Sequence, residues 1–113
     1  MFSRGPAIPT VSVDDVAADA FFLDVREDDE WAAGHVPEAL HVPMMEIPSR
    51  LEEIPDDRDV VVVCRVGGRS AQVVAFLQQH DRERTINLAG GMSDWAAAGR
   101  PMVSEDGGAP RVA

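Results

Sequence analysis

The segment 60-VVVVCRVGGRSAQVVAFL-77 decides how this chain folds. Its four valines are β-branched and apolar without alternation, which is the pattern of a strand covered on both faces, as the central strands of parallel sheets are. From Arg69 to Gln79 the apolar residues recur at helical spacing. Between strand and helix lies a short loop that holds the lone cysteine, Cys64, with Gly67, Gly68, Arg65 and Arg69. A thiol at the end of a buried strand is compatible with an inert core residue, because free cysteine is among the most buried residue types. It is equally placed for chemistry, since open α/β sheets bind ligands at the carboxyl ends of their strands.

Outward from this unit, strand and helix signals alternate. Toward the N-terminus, "FFLDV" (21–25) is a short buried-type strand, and "EDDEW" (27–31) suits the first turn of a helix that ends at Gly34. "ALHVP" (39–43) is a further strand stopped by Pro43, and a helix is expected around Glu46 to Glu53. Before these, "IPTVSVDDVAADA" (8–20) reads as an extended piece followed by a helix capped by Ser12, with Asp14 and Asp15 in its first turn. Toward the C-terminus, "TINL" (85–88) is a strand and "GGMSDWAAAG" (90–99) a turn and helix closed by Gly99. The sequence divides into a flexible N-terminal segment (1–9), one domain (10–103) and a polar tail (104–113), and the alternation predicts an α/β layered fold with a largely parallel sheet.

Composition narrows the function. The 113 residues carry a net charge of −10, and all ten basic residues are arginines, a balance that disfavours nucleic acid and anionic membrane surfaces as partners. No apolar run reaches the ~20 residues of a membrane span, and "MFSRGPAIPT" lacks the apolar core of a secretory signal, so a cytoplasmic protein is expected. The single cysteine forms no internal disulfide. His35, His41 and His80 have no metal-ligand spacing with one another or with Cys64, so no metal and no other cofactor is expected.

The loop favours the chemical role for the thiol. Gly67 and Gly68 allow the successive N–H groups of Arg65, Val66, Gly67, Gly68, Arg69 and Ser70 to turn inward as an anion-binding nest ahead of the helix N-terminus. A free thiol of pKa ~8.5 is only a few per cent thiolate at neutral pH, whereas helix termini and arginines depress it to ~3.5–7.5. A helix terminus contributes up to ~2 kcal/mol, little more than one pKa unit at ~1.4 kcal/mol each, so the converging N–H groups and Arg65 or Arg69 have to supply the rest. At cellular salt the acidic surface is screened over ~8 Å, and guanidinium suits bidentate binding of oxyanions.

With these residues in place, the sequence resembles the rhodanese-like domains over nearly its whole length, Thr10 to Met102. The resemblance rests on "FFLDVREDDEWAAGHVPEALHVP", "CRVGGRS" and "NLAGGMSDWAAAGRPM", in that order. It implies a three-layer α/β/α fold around a five-stranded, mainly parallel sheet. It also implies that Cys64 is a nucleophile that accepts a sulfane sulfur as a persulfide from thiosulfate or another small anionic donor and passes it to cyanide, a thiol or a sulfur-accepting protein. Cys64 and Arg69 enclose four residues, one fewer than in the related phosphatase loops, which is similar to the sulfurtransferase form and disfavours arsenate reductase or phosphatase activity. Arg65 resembles the basic residue of thiosulfate-type loops. A persulfide carrier or sulfide-sensing interaction module that turns over poorly alone is the alternative.

In the first block Asp24, Arg26, Glu30 and His35 match family positions and are expected to act as scaffold, with Arg26 paired to a nearby carboxylate and His35 bonded to backbone. A thiolate already formed needs no general base. Glu38 departs from the family, which commonly has glycine there, and leaves the shape of that turn open. Trp31 and Trp95 are expected in the core, Met44 and Met45 as gap-fillers near the site mouth, and "EDDE" (27–30) as a solvated helix start.

Overall fold

The computed structural model describes residues 8–17 and 19–113. Five parallel strands form one sheet, β1 (Thr10–Val11), β2 (Phe21–Asp24), β3 (Leu40–His41), β4 (Val60–Val63) and β5 (Thr85–Leu88), in the spatial order β1-β5-β4-β2-β3. The valine run is the central strand. Val60 to Val62 pair with Thr85 to Asn87 of β5 on one side, and Val60 to Val63 pair with Phe21 to Asp24 of β2 on the other. All four valines are at most 3% exposed, as an unalternated apolar run requires.

Helices cover both faces. The two-residue period of β4 sends Val60, Val62 and the following Cys64 to one face, where they pack with Val73, Val74 and Leu77 of α2 (Gly68–Gln78) and with Ile47. Val61 and Val63 face the other way, toward Met92 and Trp95 of α3 (Gly91–Ala97), and Trp95 meets Phe22 edge to face at 5.1 Å. The short α1 (Asp28–Ala33) opens with a capping box in which Glu27 and Glu30 each bond the other's backbone N–H. No helix among the described residues is long and apolar enough to cross a membrane.

Two expected helices take other forms. After β1 the chain makes a turn at Val13–Asp15 in place of a helix. Ser12 does not cap a helix, because its hydroxyl bonds the Asp15 carboxylate while the Asp15 N–H returns to the Ser12 carbonyl. Val13 and Val16 are drawn into the core against Trp95. The segment expected to be helical at Glu46 to Glu53 forms two 3₁₀ turns, Met44–Ser49 and Leu51–Glu53. Pro48 lacks the N–H that a continuous α-helix would use, which accounts for the break.

The described segments on either side of the domain bond to it. The expectation of a flexible start falls largely on residues 1–7, outside the described ones, whereas the Pro9 carbonyl accepts the Asn87 N–H. In the C-terminal segment, Val103 bridges His35, and the N–H groups of Glu105 and Arg111 bond the carbonyls of Ala32 and Ala33.

Candidate functional site

Cys64 follows β4 directly, at the carboxyl edge of the sheet, and is 1% exposed. The loop after it returns over the sulfur. Gly67 takes φ +113°, a conformation that favours glycine, and aims its N–H at Sγ from 3.0 Å. The helix begins at Gly68, and the Ser70 hydroxyl lies 3.2 Å from Sγ. Only Gly67 of the two glycines is left-handed; Gly68 is an ordinary helical residue with open space where a Cβ would be.

These donors set the charge of the sulfur. Burial pushes the Cys64 thiol up, but the Ser70 hydroxyl and the backbone N–H groups of Ser70, Gly67 and Val66 more than offset it and hold the thiol below its ordinary value. The thiolate is thus stabilised by fixed dipoles at a helix N-terminus.

The back of the loop is held by the start of α3. The N–H groups of Met92 and Ser93 bond the carbonyls of Cys64 (2.8 Å) and Arg65 (3.0 Å). Gly91, at φ +53°, makes this approach possible, because a Cβ there would overlap the Cys64 carbonyl oxygen.

Of the residues singled out in the sequence, Cys64, Gly67 and Ser70 meet at the sulfur, and Val66 exposes its side chain at the loop crest. The two arginines differ. Arg65 is exposed, and among the described residues no hydrogen bond holds its side chain. Arg69 is clasped by Glu30, Nη1 to Oε1 at 2.8 Å and Nη2 to Oε2 at 2.9 Å. Asp24 and Arg26 form a buried pair at the end of β2, with Nη2–Oδ2 2.8 Å, and Arg26 also donates to the Gly34 carbonyl. His35 bonds the Trp31 carbonyl as expected of a scaffold residue, and Trp31 is stacked between the rings of His35 and His41. Met44 and Met45 line an apolar groove of about 210 Å³ with Pro48 and Phe76. A larger cavity of about 540 Å³ lies at the opposite end of the sheet, among Phe21, Glu38, Arg58 and Arg100.

For three residues the site contact is not legible in the sequence. Glu30, a scaffold residue by its sequence block, reaches Arg69 across 39 positions of sequence. Gly91 was only part of a turn. Asn87, 8% exposed within β5, accepts a hydrogen bond from the Ser70 hydroxyl at 2.5 Å. Its signal was an amide inside the strand "TINL", because a buried polar side chain needs a partner.

The chain has relatives. The sequence profile described as Rhodanese-like domain matches residues 12–98. A sulfurtransferase of Allochromatium vinosum is 47% identical over 79% of this chain and 83% of its own length. Among solved structures, a rhodanese-related protein from Thermoplasma volcanium superposes with a TM-score of 0.79 at 28% identity, over 84% of this chain and 97% of that one. A NAD-dependent persulfide reductase from A. fulgidus aligns with a TM-score of 0.67 at 34% identity, over 78% of this chain and 16% of that one.

Proposed function

This chain belongs to the family of rhodanese-like domains, and from that premise we propose that it is a sulfurtransferase working through a persulfide on Cys64. The observation that carries the proposal is the sulfur itself, at a strand's carboxyl end and faced by the Gly67 N–H at 3.0 Å and the Ser70 hydroxyl at 3.2 Å.

The reaction is a double displacement. The Cys64 thiolate attacks the outer sulfur of thiosulfate; a new S–S bond forms, the S–S bond of the donor breaks, and sulfite leaves with the electron pair. A nucleophilic acceptor, cyanide or a thiolate, then attacks the outer persulfide sulfur. Thiocyanate or an acceptor persulfide departs, and the cysteine thiolate returns to its dipoles. Neither step needs a general base, which agrees with the absorption of Asp24 into an ion pair with Arg26. The loop N–H groups stabilise the persulfide, Arg65 attracts the anionic donor, and Arg69, set by Glu30, orients it. The four-residue spacing between Cys64 and Arg69 supports sulfur over phosphate as the group held.

The test is to incubate the protein with thiosulfate and weigh it intact. The wild type gains one sulfur and Cys64→Ser gains none. A wild type that gains nothing, or an undiminished gain in Cys64→Ser, overturns the proposal. Turnover with cyanide and with dithiols then separates an enzyme from a carrier that loads once.

A further inference from the structure

The hydrogen bonds behind Cys64 contain one proton too few for both of their acceptors. Ser70 Oγ lies 3.2 Å from the sulfur and 2.5 Å from Asn87 Oδ1, and a hydroxyl has one hydrogen to give. While that hydrogen goes to Asn87, the sulfur bonds Ser70 only as a thiol, with S–H donating to Oγ. The chain then runs S–H to Oγ, O–H to Oδ1, and the thiol and hydroxyl hydrogens both have acceptors. A thiolate requires the opposite polarity, with the Ser70 hydrogen turned to the sulfur. Asn87 accommodates this by presenting Nδ2, which donates to the freed lone pair of Oγ, and among the described residues no hydrogen bond holds Nδ2 elsewhere.

From this we infer that Asn87 is a positioning residue whose amide orientation, acting through Ser70, switches with the charge of the Cys64 sulfur. When the thiol ionises, its proton leaves to solvent; the Ser70 proton stays on Ser70 and turns from Oδ1 to Sγ, and the amide turns with it. Persulfide transfer places the sulfur alternately in nucleophile and leaving-group roles, so the inference deepens the assignment of Cys64 as nucleophile and rests on it. An amide is suited to the task because it both donates and accepts, whereas a carboxylate at the same place only accepts and keeps the Ser70 hydrogen from the sulfur.

The charged groups around the sulfur are Arg65 and Arg69 of its own loop and helix, Glu27 and Glu30 beyond Arg69, the Asp24–Arg26 pair at the end of β2, and Asp94 in the first turn of α3. Among the described residues none of them bonds Ser70 or Asn87 through its side chain, so the relay is separable from their fields.

Two measurements on the protein as it stands decide the matter. The first follows the side-chain amide signals of Asn87 by NMR across the pH range in which Cys64 titrates, with the iodoacetamide alkylation rate recorded in parallel. The Asn87 signals move with the alkylation midpoint in the wild type and lose that transition in Ser70→Ala. The second compares alkylation at neutral pH in Ser70→Ala, in the isosteric Asn87→Asp and in the double variant. Each single change slows the reaction about tenfold, the size of one hydrogen bond to a charged sulfur, and the double variant is no slower than the slower single. Asn87 signals that ignore the thiol midpoint overturn the inference, as do single effects that multiply in the double variant, which would show a charge acting at a distance. If Asn87→Asp does not fold, the wild-type and Ser70→Ala spectra decide alone. Neither readout uses a sulfur donor, so a failed relay is distinguishable from a failed sulfurtransferase.

Discussion

Glu30 grips Arg69 with both carboxylate oxygens and thereby ties the first turn of α1 to the first turn of α2, beside the sulfur. The Arg69 side-chain bond, aided by the Glu27 N–H, overcomes burial and holds the Glu30 carboxyl down at about 2. A depressed folded value favours the ionised, folded form, so the stabilisation is complete above the ordinary value of 4.5 and disappears as pH falls through about 2. Glu30→Gln lacks this dependence. Thermal unfolding of both proteins against pH should show the wild-type advantage constant above about pH 5 and closing toward pH 2. A gap that stays constant in acid would mean that the pair contributes through shape alone.

The two glycines nearest the loop's supports should respond oppositely to alanine. Gly91→Ala forces a side chain onto the Cys64 carbonyl at φ +53°, and the left-handed backbone alone costs ~1–2 kcal/mol. Unfolding measurements should therefore show a loss of more than ~2 kcal/mol, with slower Cys64 alkylation as the loop loses its rear hydrogen bonds. Gly68→Ala meets open space in a helical residue and should be neutral or stabilising by ~0.5 kcal/mol. Equal losses at both positions would contradict the account of Gly91.

What the sequence disclosed and what it hid follow one physical division. The valine run, the Cys64 loop and α2 are legible because burial, left-handed glycine and helix entry are local properties, written within a few residues of where they act. The Glu30–Arg69 grip joins residues far apart in the chain, and its pairing depends on where α1 lies against α2. Asn87 reaches Ser70 only because β5 lies beside β4, with Asn87 opposite Val62. The helix expected after Ser12 failed for a related reason: local capping chemistry was present, but burial of Val13 and Val16 against Trp95 uses a single turn.

Glu38 carries a testable cost of local conformation. It occupies φ +66° in the turn where the Ala39 N–H bonds the Val36 carbonyl, a left-handed conformation that glycine adopts without strain. Glycine at this position relieves the left-handed penalty, less the extra freedom it brings to the unfolded chain. Glu38→Gly should gain ~0.5–1 kcal/mol, a rise of a few degrees in Tm, with Cys64 alkylation unchanged. A lower Tm would show that the Glu38 side chain makes a stabilising contribution of its own.

Arg65 and Arg69 should separate in kinetics. Arg69 is engaged by Glu30, so the exposed Arg65 is the more available cation for a donor approaching the sulfur. An exposed charge contributes at most ~1 kcal/mol, so Arg65→Ala should raise KM for thiosulfate roughly fivefold, leaving kcat and Tm nearly unchanged. Salt distinguishes this from lost packing. Screening over ~8 Å at physiological ionic strength should raise the wild-type KM toward that of the variant, whose own KM moves little. If instead kcat falls and the salt dependence survives in Arg65→Ala, the donor is guided by another cation, and Arg69 with its Glu30 clasp becomes the group to vary.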